Sequence, residues 1–307
     1  MALSTIVTFS SRNMGRSQEE ILTAMDARFA SIASLSPDLV VFPEEVLISG
    51  GDKTNPNWKK NNADALALSI RWAKALHTNV CVNLEEPSRA YPGKRYNTVY
   101  VIDRNGGILG KYRKRHITFR AIGADGLPGE RIITVDTDIG RLGILVCFDI
   151  GWRDDWAALE KAGAELVVWP SAYHGGNLIN AYAAVHMLPI VTSVWNDDCR
   201  IVDALGGTIA EGTRWDPCVT AKLDLKAEVF HFDHHETLLP RLREAYGERI
   251  AVRVEGRGNL FTLSIVDPAL TPGEIKARFP MQTYREYHRG ATRDNLEILE
   301  NYPEVDS

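Results

Sequence analysis

A glutamate, a lysine and a cysteine each stand at the point where a predicted strand ends. Glu44 comes after an apolar run and a proline, Lys114 comes after the second strand of a predicted hairpin, and Cys147 closes the run Gly143–Val146. A thiol can attack an electrophilic carbon, a carboxylate can remove the proton of the thiol, and an ammonium can stabilise the oxyanion that the attack creates. These residue types therefore supply the parts of nucleophilic catalysis.

Cys147 differs from the other three cysteines in the segment on its C-terminal side. The pattern of Phe148–Asp154 indicates a turn from a strand into a helix, which brings backbone N–H groups and a helix N-terminus near the sulfur. Both features lower the pKa of a thiol, so a reactive thiolate is expected. The other cysteines form no CxxC pair and are interpreted as free, small core residues in a reducing compartment: Cys81, Cys199 and Cys218.

Side-chain alternation separates the candidate lysine from its neighbours. In an extended segment Tyr112, Lys114 and His116 share one face, which distinguishes this lysine from the adjacent cations. The same alternation sends Glu44 and Glu45 to opposite sides, so only one of them can face a given pocket if the chain stays extended. Alternation leaves open which of the two does so.

Short β-branched runs alternate with amphipathic stretches through the first two-thirds of the chain. Helices are predicted at residues 17–33, with a capping box of Ser17 and Glu20, and at 63–76, 154–162 and 178–187. Strands are predicted at residues 3–9, 39–42, 80–84, 97–102, 108–113, 132–135, 143–147, 166–169 and 190–194. A turn at residues 103–107 makes one hairpin, so the pattern predicts an α/β fold with mixed β-sheets covered by helices.

The last third of the chain departs from this alternation. It is Gly-rich and β-like through Asp224, helical from Leu238 to Tyr246, and charged with interspersed prolines from Pro272 to Ser307. We interpret the final segment as an arm or tail.

The charge pattern excludes several classes of partner. The 307 residues carry a formal net charge of -5, both signs are mixed along the chain, and no basic stripe or polybasic patch is present. No apolar stretch has the length of a membrane span, and the N-terminus lacks a leader pattern. We expect no nucleic-acid partner, no membrane partner and a cytoplasmic location.

Three segments, in this order and at these intervals, resemble the Glu-Lys-Cys motifs of the nitrilase superfamily, the carbon-nitrogen hydrolases. They are Phe42-Pro-Glu44, Tyr112-Arg-Lys114-Arg-His116 and Gly143-Ile-Leu-Val-Cys147-Phe-Asp149, and the resemblance extends to about Gly207. The resemblance implies a four-layer αββα sandwich in which Glu44 is the general base and Cys147 the nucleophile. It also implies that Lys114 and the Phe148 backbone N–H hold the oxyanion, and it selects Glu44 over Glu45 because the family glutamate comes directly after the proline.

The same resemblance implies a domain organisation and an assembly. Residues 1–270 would form the carbon-nitrogen hydrolase domain. The charged composition of residues 271–307 favours an arm that contacts a partner subunit and, equally, a frayed C-terminal tail. A homodimer or higher homo-oligomer is expected, with a small-molecule substrate and no cofactor.

One departure from the family concerns the lysine. Many members carry a second glutamate between the lysine and cysteine motifs that positions the lysine, whereas residues 117–129 contain none. Asp125 and Glu130 are the candidates to replace it.

A second departure concerns the pocket wall. Gly151, Arg153 and Asp154 stand where many amidase-like members carry arginine, proline and glutamate. The wall against which a substrate lies is therefore expected to differ, and Trp152 and Trp195 are the candidates to line it.

The residues after the cysteine favour one substrate class. Cys-Phe-Asp149 resembles the Cys-Tyr-Asp of amidase-type members more than the Cys-Trp-Glu of true nitrilases. The leading prediction is hydrolysis of an amide, an ω-amide or an N-carbamoyl compound through a cysteine thioester. A nitrilase, and a non-catalytic binding or assembly module, are the alternatives.

A histidine-rich segment raises a further alternative. Residues 231–236 include His231, Asp233, His234 and His235, whose donor atoms suit zinc. A loop of this kind before a helix is more often plain surface, so no metal is predicted.

Overall fold

The computed structural model describes residues 3–49, 55–118, 125–196, 198–232, 237–255 and 259–302. The chain forms two compact units, one of Ser4–Leu225 and one of Met1–Leu3 with Lys226–Ser307. The predicted boundary at residue 270 concerns the extent of a hydrolase domain and the role of an arm, and it stays a prediction.

The larger unit is built of four α-helices and thirteen strands within the described residues. The helices are α1 (Gln18–Ser31), α2 (Trp58–Leu76), α3 (Arg153–Lys161) and α4 (Asn177–His186). The first strands are β1 (Ser4–Phe9), β2 (Leu39–Val41), β3 (Asn79–Pro87), β4 (Arg95–Ile102), β5 (Ile108–Arg113), β6 (Gly126–Leu127) and β7 (Thr134–Thr137). The others are β8 (Gly140–Ile144), β9 (Leu166–Ser171), β10 (Ile190–Val194), β11 (Arg200–Val202), β12 (Thr208–Glu211) and β13 (Cys218–Leu223).

The strands form two mixed sheets. The first has the order β13-β1-β2-β3-β4-β5 with β6 beside β4, and the second has the order β12-β11-β10-β9-β8-β7. The central pairs β1/β2, β2/β3, β8/β9 and β9/β10 are parallel, while antiparallel pairs lie towards the edges. The central strands are fully buried, as their continuous apolar sequences predict.

The two sheets pack face to face between helices, which confirms the four-layer αββα sandwich. Thr8 Oγ1 in β1 donates to Thr192 O in β10 at 2.8 Å, so the sheets are in contact. On the outer face of the first sheet, the Phe29 ring of α1 lies 4.9 Å from the Phe42 ring. On the second sheet, Gly143 leaves room for Leu159 of α3, whose Cδ1 would lie 3.0 Å from a Cβ at that position.

Local signals in the sequence place most element ends well. Ser17 caps α1 and forms the predicted capping box with Glu20. The hairpin of β4 and β5 is closed by the Asp103 N–H, which donates to Gly107 O at 2.8 Å. The strand predicted through Cys147 instead ends at Ile144, and this difference shapes the site described below.

The smaller unit carries its own sheet and helices. Its strands are β14 (Glu228–His231), β15 (Ile250–Glu255) and β16 (Leu260–Ile265), in the antiparallel order β14-β16-β15. Its helices are α5 (Leu238–Tyr246), as predicted, α6 (Pro272–Arg278) and α7 (Tyr284–Asn301). The described part of the charged tail is therefore largely helical, and its contact with a partner subunit stays a prediction.

Candidate active site

Glu44 and Glu45 both line one cavity, because the chain does not stay extended after β2. Glu45 adopts a left-handed conformation, with φ 38° and ψ 55°, and leads into a 3-10 turn of Val46–Ile48. Side-chain alternation allows only one of the two glutamates to face the pocket if the chain is extended. Because the chain turns at Glu45, both side chains line the cavity. Sequence alternation could not reveal this turn, since left-handed glutamate is rare.

The Glu44 carboxylate is buried and held by three donors. Lys114 Nζ donates to Oε1 at 2.6 Å and Asn97 Nδ2 donates to the same oxygen at 2.9 Å. The Ala172 N–H donates to Oε2 at 2.9 Å. Only 4% of Glu44 is exposed, so these bonds act in a setting nearly free of water.

Lys114 lies directly after β5 and is distinguished from its neighbours, as alternation predicts. It is buried, whereas Lys111 and Arg113 point to the other side, where both bind Glu86. The alternation ends with the strand, since Arg115 and His116 both contact Asp155 although they were predicted to face opposite ways.

Lys114 is held in its charged form. Burial lowers the pKa of this ammonium, but the charge of Glu44 and a hydrogen bond to it outweigh burial, and the pKa lies above its usual range. A positive charge is therefore present in the cavity across the physiological pH range.

Cys147 sits at a strained turn and not at the end of a strand. Its φ is 49°, in the left-handed region, and it begins a 3-10 turn of Cys147–Gly151. Backbone strain of this kind is common where a side chain must be aimed at a site. The first hydrogen bond of the turn is donated by Asp149 to Val146 O, so the N–H groups of Cys147 and Phe148 precede it.

Asp149 clamps this turn to the strand that carries the lysine. Its fully buried carboxylate accepts the Val146 N–H at 2.9 Å, the Tyr112 O–H at 2.8 Å and the His116 N–H at 2.9 Å. Two of these donors flank Lys114 and the third precedes Cys147. Sequence reasoning assigned Asp149 no contact, although its place in the Cys-Phe-Asp motif was the available signal.

The Cys147 thiol has a raised pKa, which corrects the prediction of a lowered one. Burial raises the pKa to about 12, the charge of Glu44 adds to this, and Lys114 and a hydrogen bond from Ser171 only partly oppose it. Desolvation of the buried sulfur, which a local pattern does not record, outweighs the effect of the turn. Cys147 is therefore a protonated thiol at rest.

The cavity around these side chains has a volume of about 520 Å³. Within the described residues it brings together Glu44, Lys114 and Cys147 with Trp195, whose Nε1 donates to Glu44 O at 2.5 Å. Trp152 does not line it. That side chain stacks on His116, with ring centroids 3.7 Å apart, in a neighbouring cavity of about 390 Å³.

The two candidate second acids lie away from the lysine. Asp125 lines the cavity but binds Arg95 at 3.1 Å, and Arg95 also binds Glu85 at 2.7 Å. Glu130 lines a different cavity beside Arg113. Among the described residues, neither acid contacts Lys114, and residues 119–124 fall outside them.

Glu45 adds a titratable group to the cavity. Burial, reinforced by Glu44 and Glu85, raises the pKa of its carboxyl to about 8. This carboxyl is thus largely protonated at neutral pH and lies in the same cavity as the charged Lys114.

The histidine-rich segment is only partly described. The His231 ring stacks with the rings of Tyr284 and Tyr287, with centroids 5.8 and 5.7 Å away. Residues 233–236, and with them His234 and His235, lie outside the described part. Within that part no group of three or more metal-ligating side chains is placed to hold an ion.

None of the described helices combines the length and apolar character needed to cross a bilayer. This applies to the longest of them, α2, which carries Lys59, Lys60 and Asp64 in its first turns.

The sequence matches a known family model, the carbon-nitrogen hydrolases, over residues 11–228. Citrullinase of Francisella tularensis is 28% identical over 155 residues, covering 39% of this chain and 52% of that protein. Human omega-amidase is 33% identical over 91 residues, covering 27% of this chain and 33% of that protein. The chain spans about a third to a half of the length of these curated relatives.

Solved structures show the same fold. A carbon-nitrogen hydrolase from Helicobacter pylori G27 has a TM-score of 0.65 and 18% identity, covering 79% of this chain and 94% of that chain. At this identity the match supports the architecture only.

Proposed function

Because the chain belongs to the carbon-nitrogen hydrolase family, we propose that it hydrolyses a non-peptide carbon-nitrogen bond of a small amide, ω-amide or N-carbamoyl substrate. The observation that carries the proposal is the meeting of a thiol, a carboxylate and an ammonium in one buried cavity, from Cys147, Glu44 and Lys114. In this proposal Cys147 is the nucleophile, Glu44 the general base and Lys114 the oxyanion partner.

The protonation states suit a base-assisted attack. A thiol with a pKa of about 12 keeps its proton at neutral pH, so a base must remove it as the sulfur attacks. Among the described residues, Glu44 Oε1 accepts two N–H donors, one of them an ammonium, and Oε2 accepts one backbone N–H, which leaves Oε2 as the more basic oxygen. We assign the proton transfer to Oε2.

The attack forms a bond between the Cys147 sulfur and the carbonyl carbon, and the electron pair of the carbonyl moves to its oxygen. The Lys114 ammonium and the Phe148 N–H stabilise the resulting oxyanion. The Phe148 N–H suits this role because it precedes the first hydrogen bond of its turn.

Collapse of this intermediate breaks the carbon-nitrogen bond. The nitrogen leaves with the proton held by Glu44, as ammonia or an amine, and a thioester remains on Cys147. Water then attacks the thioester while Glu44 takes its proton, and transfer of that proton to the sulfur releases the acid and restores the thiol.

The cavity suits a small molecule with polar and apolar parts. Its volume of about 520 Å³ lies within the range of small-ligand sites, and it is lined both by apolar side chains, among them Trp195 and Ile117, and by the ion pairs of Arg95. The names of two relatives, citrullinase and omega-amidase, support a carbamoyl or an ω-amide group in the substrate proposed for this chain.

Two further parts of the proposal concern the setting. All four cysteines are free, as a reducing cytoplasm would keep them, and cell fractionation tests that location.

A homodimer or higher homo-oligomer is proposed, with the segment 271–307 as an intersubunit arm. Light scattering of the full chain and of a chain ending at Pro280 tests the arm, and an unchanged subunit count would contradict it.

A substrate panel tests the reaction. Amides, ω-amides, N-carbamoyl amino acids and nitriles are incubated with the protein and ammonia release is measured. We expect turnover of amides or carbamoyl compounds, and a mass increase on Cys147 equal to the acyl group when the reaction is quenched.

Matched cysteine variants provide the control. Cys147→Ala should abolish turnover, whereas Cys199→Ala, which removes another buried thiol that does not line the cavity, should retain it. Turnover of nitriles alone would replace the amidase assignment with a nitrilase. No turnover on any panel member would favour a binding or assembly module.

A further inference from the structure

Two asparagines connect the turn after Glu44 with the Glu44 carboxylate. The Glu45 N–H donates to Asn83 Oδ1, Asn83 Nδ2 donates to Asn97 Oδ1 at 2.7 Å, and Asn97 Nδ2 donates to Glu44 Oε1 at 2.9 Å. Neither asparagine was a candidate in the sequence analysis. We call Asn83 and Asn97 the asparagine relay.

The two ends of the asparagine relay fix the direction of every bond in it. A backbone N–H can only donate, so Asn83 must turn Oδ1 towards Glu45 and its NH₂ group towards Asn97. Asn97 must then accept through Oδ1 and direct its own NH₂ group at an ionised carboxylate, which can only accept. A flip of either amide would oppose two donors or two acceptors, so a donor is always presented to Glu44.

Asn97 also holds the lysine. Its backbone C=O accepts the Lys114 N–H at 2.8 Å, while Lys114 Nζ donates to Glu44 Oε1 at 2.6 Å. A single residue of β4 therefore fixes the backbone of the lysine and the carboxylate of the glutamate. Asn97 thus links Lys114 to Glu44, a role for which the sequence suggests Asp125 or Glu130 as a second acid.

The other end of the asparagine relay supports a strained residue. A left-handed conformation is sterically unfavourable for a non-glycine residue, and Glu45 adopts it with φ 38°. Its N–H is bound by Asn83, which is fully buried, so an unpaired N–H would add a desolvation cost. The bond thus stabilises the turn that aims Glu44 into the cavity.

We propose that Asn83 and Asn97 are positioning residues that hold Glu44 Oε1 against Lys114 and leave Oε2 to exchange a proton with Cys147. This inference rests on the proposed role of Glu44 as the base. Asn83 reaches Glu44 through Asn97 and through the turn at Glu45, so its effect on turnover must travel along the asparagine relay.

The first test compares two buried asparagines of β3. Asn83→Ala, in the full chain, should lower kcat about 10²-fold with KM within about twofold, because a misaimed base weakens the transition state and not substrate binding. Asn79→Ala is the matched control. It removes an equally buried amide, which binds Asp138 at 2.7 Å, and should keep kcat within about twofold.

The second test is a pH profile. Asn97→Asp keeps the side-chain shape but sets a carboxylate against Glu44. The other titratable or charged groups that act on Glu44 are Glu45, Lys114, Cys147 and Tyr173. The added negative charge opposes ionisation of Glu44, so the acid limb of kcat/KM should move up by about one pH unit. A purely structural role would lower the yield of folded protein and leave that limb in place.

Equal kcat losses in Asn83→Ala and Asn79→Ala, or an unmoved acid limb in Asn97→Asp, would overturn the asparagine relay. A substrate-free measurement separates this result from failure of the proposed function. The titration of the Glu44 carboxylate, read as the infrared difference between wild type and Glu44→Gln, should move upward in Asn97→Asp even if no panel substrate is turned over. An unmoved titration would again overturn the asparagine relay.

Discussion

Replacing Lys114 with methionine should destabilise the protein by about 3 kcal/mol in addition to removing the oxyanion partner. Lys114 and Glu44 form an ion pair at 2.6 Å, and their side chains are only 6% and 5% exposed. Methionine fills a similar volume but leaves the Glu44 carboxylate buried without its cation. The cost is therefore the desolvation of an uncompensated charge.

The magnitude depends on the donors that remain around Glu44. Breaking one side of a buried pair typically costs about 3–5 kcal/mol. The Asn97 amide and the Ala172 N–H still donate to the carboxylate, which places the cost at the low end of that range. Loss of an oxyanion donor should separately lower kcat by about 10²–10³-fold.

Urea unfolding monitored by tryptophan fluorescence measures the free energy of unfolding. The matched control is Lys60→Met, which removes an ion pair to Asp64 of the same 2.6 Å length but with 74% and 48% of the side chains exposed. That variant should leave the free energy of unfolding nearly unchanged, because water screens both charges.

The double variant Glu44→Gln with Lys114→Met decides the reasoning. Removing both charges leaves no buried ion, so about 2 kcal/mol of the loss should be recovered relative to Lys114→Met alone. If the double variant is no more stable than the single one, the loss comes from packing and the electrostatic argument is wrong.

Three further predictions rest on the same geometry. Glu44→Gln should lower kcat about 10²–10⁴-fold, with the fold intact by circular dichroism. The control Glu86→Gln, on the other side of the strands, should keep kcat within about twofold. Similar losses of kcat in both variants would refute the role of Glu44 as a general base. Asp149→Asn should lower the free energy of unfolding in urea by about 2–3 kcal/mol, because its NH₂ group would oppose a donor. Tyr112→Phe removes one of the three bonds to Asp149 and should lower it by about 1 kcal/mol. Equal effects of the two variants would contradict the clamp. The folded Cys147 thiol keeps its proton to about pH 12, whereas an exposed thiol loses its proton near pH 9.0. Since the unfolded chain then binds fewer protons than the folded one, the free energy of unfolding falls as the pH rises. Between pH 8 and pH 10 wild type should lose about 1.4 kcal/mol more than Cys147→Ala, and identical pH dependences would refute a raised pKa.

The sequence predicted the elements well where local rules decide them. The capping box at Ser17, the Asp103 hairpin turn and the buried parallel strands depend on neighbours within a few residues, and all were found. The sheet of the smaller unit was missed, because β14 and β16 carry no turn signal that joins them and pair only through the folded chain.

The candidate site shows the same division. Motif order identified Glu44, Lys114 and Cys147 as one set, since each comes after a strand that the sequence marks, and the structure brings them to one cavity. The pKa of the thiol was misjudged because burial is a property of the whole fold, and Trp152 lines a neighbouring cavity because its ring stacks on His116.

The reactive residue types and the strands that carry them could be read from the chain alone, because composition and periodicity are local properties. How those residues are aimed was set by tertiary packing. The bonds from Tyr112 and His116 to Asp149 and the bonds of the asparagine relay join residues 14 to 53 positions apart. Such bonds form only after the sheets have packed and excluded water, so no pattern within a short window records them.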